Sequence, residues 1–404
     1  MSNSPQIDLT SFDAILKTKY DSRPPEELYF RARPLYTMLK KKEDFSGRNE
    51  VFTMTIDRPV GVSGDFATAQ ANAGLSNDAY QDVTLTVKEY FGVHNISDLA
   101  MKVSRDKAGS FLNGQIEMID SIMDATLESV VIDIYGDGSC AIGRRASAST
   151  NVITLSNAED VENFPVGAYV VAAAAKSTGA IRVGRSFIVA KDEDAGTLTL
   201  DDASDIASFA NNDYLYIEGK RNTGLKGLAS WIPDTAPTTG DNFYGLDRSV
   251  NPTSLAGTRM ALGGLSLTEG MNKISSKLAS RGAMPDVFVV HFDKQVEIIN
   301  LLGSQVQYID HTIGKIGFQT LAVQGPKGPI KILADSHCPK ERIYCLTLKD
   351  WTLHSVGKVP HIANSEGLRI TRSHNKMAWE VRVLAYPVLS CRSPRYSGVL
   401  KTDE

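Results

Sequence analysis

The sequence predicts an α+β protein whose helices and strands are segregated in blocks. Three observations carry this. The stretch from Lys107 to Gly138 repeats its apolar residues at helical spacing, the residues from Cys140 to Asn222 carry short strand patterns at regular intervals, and the last hundred residues are again mainly strands.

A chain of 404 residues forms one large or two to three ordinary domains, and its 42% apolar and 22% charged content is that of a globular protein with no skew toward disorder. The formal charge of -4 argues against a surface built to grip nucleic acid, though not against one that merely encloses it. Cys140, Cys338, Cys345 and Cys391 show no CxxC spacing, which predicts reduced, mostly buried thiols in a protein made in a cytoplasm. No basic-apolar-small leader opens the chain. The longest apolar run, Val166 to Ala175, is interrupted by Gly167 and too short for a bilayer, so neither secretion nor membrane insertion is expected.

Residues 1–47 read as an arm. Phe12, Ile15 and Leu16 suggest one amphipathic turn, while Pro24, Pro25, Pro34 and the run Lys40-Lys41-Lys42 deny the segment a core of its own. Residues 48–92 read as a two-stranded arm. Phe52, Met54 and Ile56 alternate with polar positions, as do Val83, Leu85 and Val87. The small-residue stretch Ala67 to Ala79 between them is longer than a hairpin needs and is expected to be a flexible tip, on an arm that projects rather than packing at home.

Within residues 93–139, Phe111, Leu112, Ile116, Ile119, Met123, Leu127, Val130 and Ile134 mark one face of a long helix, entered through Ser104 or Asp106 and closed by Gly136-Asp137-Gly138. Its other face stacks Glu117, Asp120, Asp124 and Glu128 with no interleaved lysine. Like charges at such spacing cost a few tenths of a kcal/mol each. A solvated face is the plain account. The sharper one is that cations of the N-terminal arm, or of another copy, lie along it, with Lys40, Lys41, Lys42 and Arg58 as candidates.

Residues 140–222 carry five short strands, at 151–155, 168–171, 186–189, 197–200 and 214–217, and predict a small closed β module. Gly136 to Gly143, followed by Arg144 and Arg145, reads as a hinge into it. Residues 223–312 open with a glycine-rich loop and continue as helix, strand and helix. Ser266 and Glu269 form a capping box, Met271, Ile274 and Leu278 line one face, Val287 to Val290 is a buried strand, and Asp293 caps a helix carrying Val296, Ile299 and Leu302. Residues 313–404 hold strands at 320–323, 330–333, 344–348, 352–355, 368–371 and 379–389.

No constellation for catalysis emerges. The seven histidines lack HxxxH and HExxH spacing, His337, Cys338 and Cys345 match no zinc pattern, and GxSxG, GxxxxGK[ST] and GxGxxG are absent. No cofactor is predicted.

The order of parts, with segments such as Gly224-Leu225-Lys226-Gly227-Leu228, Met284-Pro285-Asp286-Val287-Phe288-Val289-Val290 and Ile330-Lys331-Ile332-Leu333-Ala334-Asp335, resembles the major capsid proteins of tailed bacteriophages with the HK97 fold. The resemblance implies an N-arm, an E-loop (the two-stranded arm), a spine helix, a P-domain and an A-domain, with the β module as an inserted domain. It further implies self-assembly as hexamers and pentamers into an icosahedral virion shell around double-stranded DNA, no enzymatic activity, synthesis in a bacterial cytoplasm, and portal, scaffolding and decoration proteins as partners. The archetype crosslinks through an E-loop lysine. No lysine lies between Asp57 and Val87 here, so no such bond is expected. About 50 residues precede the first E-loop strand, so a separate scaffolding protein is expected rather than a built-in segment. The alternative within the fold is an encapsulin-like compartment around an enzyme cargo; from another class, an enzyme or binding protein built on the β module.

Overall fold

A computed structural model describes residues 32–56, 61–73, 80–99, 114–302, 308–309, 320–326, 328–363, 370–373 and 377–402. The amphipathic turn near Phe12, the helix entry at Ser104 or Asp106, and Arg58 lie outside these residues.

The chain begins with α1 (Pro34–Met38) and β1 (Lys40–Lys42), then pairs β2 (Glu50–Thr55) with β3 (Tyr80–Leu85) in an antiparallel arm. Met54, Ile56, Val83 and Leu85 are buried in the main core, so the apolar face of the strand pair, expected to project, packs at home along its length. Of the expected flexible tip, residues 74–79 lie outside the described residues, and residues 67–73 lie in α2 (Phe66–Ala73). Its alanines are the strongest helix formers, and Asp65 Oδ2 caps the first turn by accepting from the Thr68 amide at 2.9 Å. None of its residues is buried.

After β4 (Tyr90–Ser97) comes the long helix α3 (Gly114–Tyr135), 22 residues and so ~33 Å long. It ends where expected, with Gly138 at φ +83°. Its first half packs through Ile119, Ile122 and Met123 on β4 and on β22 (Ala378–Ala385), and its second half drives Val130, Val131, Ile134 and Tyr135 into the main core. Gly92 lets helix and sheet touch, since a Cβ there would lie 2.2 Å from Thr126 Oγ1.

Next come β5 (Gly143–Ser149), β6 (Val152–Leu155), β7 (Tyr169–Ala173), β8 (Ser186–Asp192), β9 (Thr197–Leu200) and β10 (Tyr214–Ile217), which close into a barrel of order β10-β5-β6-β9-β8-β7. Five of these strands were expected. The sixth, β5, begins at Gly143 where the expected hinge ends: its Gly-Arg-Arg-Ala-Ser-Ala-Ser sequence lacks branched apolar residues, and it is held by pairing to β6 and β10. Arg144 and Arg145 are thus strand residues, donating to the carbonyls of Asn212 and Phe209.

Beyond the barrel lie α4 (Leu228–Trp231), a hairpin of β11 (Asn242–Phe243) and β12 (Leu246–Asp247), α5 (Pro252–Ala256), β13 (Thr258–Ala261) and α6 (Leu267–Ser280). The Ser266–Glu269 capping box is present in both directions. After β14 (Val287–Val290), α7 (Phe292–Leu302) starts one residue before Asp293, whose amide donates to His291 Nδ1; Val296 is exposed and Ile298, not Val296, is its buried anchor.

The chain ends through β15 (Tyr308–Ile309), β16 (Thr320–Gly325), β17 (Gly328–Ala334), β18 (Arg342–Leu346), β19 (Trp351–Ser355), β20 (His361–Ile362), β21 (Thr371–Arg372), β22, β23 (Pro387–Cys391) and β24 (Gly398–Lys401). A seven-stranded mixed sheet, β13-β24-β18-β14-β17-β16-β15, carries α6 on one face and the main core on the other. Both faces are covered, which is why Val287 to Val290 is apolar throughout. The expected strand 379–389 is two strands in different sheets. It breaks before Pro387, which lacks an amide to continue a ladder.

Candidate assembly site on the long helix

Arg33 precedes Pro34, and proline keeps the residue before it out of helical geometry; Arg33 sits at φ −117°, ψ 65°. That directs its guanidinium onto α3. Nη1 lies 2.6 Å from Asp124 Oδ1 and Nε 3.0 Å from Glu128 Oε2, with the arginine side chain 9% exposed. Glu128 uses its other oxygen, 2.8 Å from His337 Nε2, while His337 Nδ1 lies 2.8 Å from Asp335 Oδ1. Tyr135, the last residue of α3, donates to Asp335 Oδ2 at 2.6 Å.

The charges set the protonation. Burial disfavours charge on Arg33 and on His337, but in each case the adjoining carboxylates outweigh it, and both are held above their ordinary values. Tyr135 is pushed well up by burial and by Asp335. The N-terminal segment, the long helix and the turn after β17 are thereby fastened into one unit. Next to it, the Tyr90 hydroxyl donates to Asp133 at 2.5 Å, and burial pushes the Asp133 carboxyl up to about 6.

Of the residues singled out from sequence, Asp124 and Glu128 meet here, while Asp120 is exposed and the Glu117 side chain lies outside the described residues. Among the described residues, Arg33 faces both Asp124 and Glu128, and His337 faces Glu128. The lysine run takes another place: Lys40 to Lys42 form β1 beside β19, with Lys41 Nζ 3.6 Å from the Tyr36 ring centroid and Lys42 Nζ 3.3 Å from Asp44. Sequence reading missed Arg33, Asp335 and His337. The Arg-Pro step was the one local hint for Arg33.

The exposed apolar surface lies elsewhere. Val62 and Phe66 at the arm tip are 85% and 81% exposed, and Phe91 on β4 is 63% exposed. Among the described residues no helix is long and apolar enough to cross a membrane.

No protein-family model matches the chain, and neither does any curated protein. Solved structures do. A subunit of the cyanophage A-1(L) capsid aligns over 96% of this chain and 97% of its own at 13% identity and TM-score 0.54. The capsid of a native GTA particle aligns over 100% of both chains at 8% identity and TM-score 0.52. An encapsulin complex from Synechococcus elongatus aligns over 99% and 97% at 7% identity and TM-score 0.47. The chain has the fold of capsid subunits.

Proposed function

We propose that this chain is the major capsid protein of a tailed bacteriophage, assembling as hexamers and pentamers into an icosahedral shell around double-stranded DNA. The observation that carries the reading is the alignment of nearly the whole chain with capsid subunits, over 96% of it in one case and 100% in the other. On this reading β2, β3 and α2 are the E-loop, α3 is the spine helix, α6 and α7 belong to the P-domain, the terminal strands supply the A-domain, and the barrel is an inserted domain. An arm whose tip helix buries nothing, beside Val62 and Phe66, suits a segment laid on a neighbouring subunit. Scaffolding, portal and decoration proteins are the expected partners, and the DNA is enclosed without sequence-specific contact.

Negative-stain microscopy of the full chain, expressed alone and with a candidate scaffolding protein, tests this. Shells, tubes or capsomer-sized rings are expected. Small soluble oligomers under both conditions would overturn the reading, and shells filled with an enzyme in place of DNA would replace the virion by a cargo compartment.

A further inference from the structure

Three segments converge at the root of the arm, away from the network on the long helix. His354 on β19 is 3% exposed, and its Nδ1 lies 3.2 Å from Asp44 Oδ1 and 3.3 Å from Glu50 Oε2. All three backbones are held: Lys42 pairs with His354 across β1 and β19, the Phe45 amide donates to the Ser355 carbonyl at 3.4 Å, and Glu50 pairs with Leu85 across the arm.

We propose that Asp44, Glu50 and His354 bind one divalent first-row transition-metal ion, of which zinc is the type. The hydrogen bonding at this histidine is mismatched. Both carboxylates converge on the same ring nitrogen, and whether the imidazole is neutral or protonated, Nδ1 carries at most one hydrogen. A hydrogen bond therefore serves one carboxylate well and the other poorly. A metal ion serves all three.

The spacing suits it, because donors bound at ~2.0–2.2 Å in tetrahedral or octahedral geometry lie about 3 to 3.5 Å apart. The three donor atoms lie within 4.8 Å of one another. The carboxylates are the adjustable part, with side chains 53% and 35% exposed over a buried imidazole floor. The nitrogen donor selects zinc-like ions over magnesium and calcium, which take oxygen ligands. Lys42, 3.3 Å from Asp44 Oδ2, is the competitor; it is 34% exposed and an ammonium held in water is readily displaced. A bound ion would clamp the arm root to β19. The site stands on its own donors and does not depend on the shell reading.

Isothermal titration of the full chain, stripped with chelator and then given zinc, is the test, with cobalt(II) as a spectroscopic probe of nitrogen ligation. One site per chain is expected, with affinity at least about tenfold weaker in His354→Gln and in Glu50→Gln, since even an outer partner of a ligand is worth that much. Lys42→Met should bind more tightly. Thermal unfolding of the metal-free variants guards against misfolding: the substitution is informative where the metal-free midpoint is kept, and Glu50→Gln at the exposed rim supplies that case if His354→Gln does not. Zinc binding that is absent, or equal in wild type and both variants, would overturn the proposal, as would magnesium binding with the same affinity.

Discussion

The barrel and the two-stranded arm are both built of short antiparallel strands, yet they reach stability by opposite routes. The barrel closes on itself, so each of its six strands has two neighbours, and it fills its interior with Ile153, Phe164, Ile188, Leu198, Leu215 and others. The arm is a single strand pair. Its root borrows the main core through Val83 and Leu85, and its tip ends in a helix that buries nothing. Two strands are marginal alone in water, whereas a closed sheet with a filled interior is not. The barrel completes itself, whereas the arm leans on the main core and leaves its tip helix uncovered.

The largest effect that can break this contrast is expected from Phe164→Ala. Phe164 is fully buried, and truncation should cost about 3–5 kcal/mol. If the barrel is a self-contained unit, the loss is confined to it: calorimetry should show an early barrel transition with the main-body transition in place. A single transition shifted as a whole would show that barrel and body unfold as one.

Next in size is a pair of substitutions along the arm. Leu85→Ala at the root should cost about 2–5 kcal/mol of main-body stability, because Leu85 is fully buried there. Phe66→Ser at the tip should change chain stability by less than about 0.5 kcal/mol. Its effect is expected in assembly, read as loss of particles by sedimentation. If the tip substitution destabilises the isolated chain as much as the root one, the arm is packed at home along its whole length.

These contrasts also show what sequence reveals and what it hides. The Ser266–Glu269 box was legible because both partners sit within one helical turn. Residues Val287 to Val290 were legible because burial on both faces makes a run of apolar residues. Helix α2 was hidden because small residues in a long connection point to a flexible tip, while its alanines also favour a helix. β5 was hidden because its Gly, Arg, Ala and Ser carry no alternation and its strand state comes from neighbours far along the chain. The charge network was hidden for the same reason: Arg33 reaches Glu128 across 95 positions and His337 reaches it across 209, and no spacing rule encodes such distances. The acidic stripe was visible, but its mates were not.

A smaller effect, set by pH, tests how that network holds the N-terminal segment. His337 has its folded pKa raised above the ordinary histidine value of 6.5. The folded state therefore binds the proton more tightly than the unfolded one, and the stabilisation is fully present below about 6.5. It is lost as pH rises through the folded value. Stability measured by urea titration should fall across that window, and His337→Gln, which can still donate to one carboxylate, should flatten the fall. A wild-type profile that rises with pH there would mean that His337 is neutral in the fold.

The smallest effect separates two neighbouring acids on one stripe. Asp124 is 23% exposed and bonded to Arg33, so Asp124→Asn weakens a charge-assisted pair, at about 1 kcal/mol for a site partly screened by water. Asp120, one helical turn earlier, is exposed, and Asp120→Asn should leave chain stability within about 0.5 kcal/mol. Its charge is then open to what approaches from outside. In low salt, where surface charges act over tens of ångströms, Asp120→Asn should slow assembly more than Asp124→Asn does if cations of a neighbouring copy meet this face. Equal assembly rates for wild type and Asp120→Asn at low salt would leave the outer half of the stripe as a solvated surface, and would confine the stripe's role to the contacts that Arg33 and His337 already make.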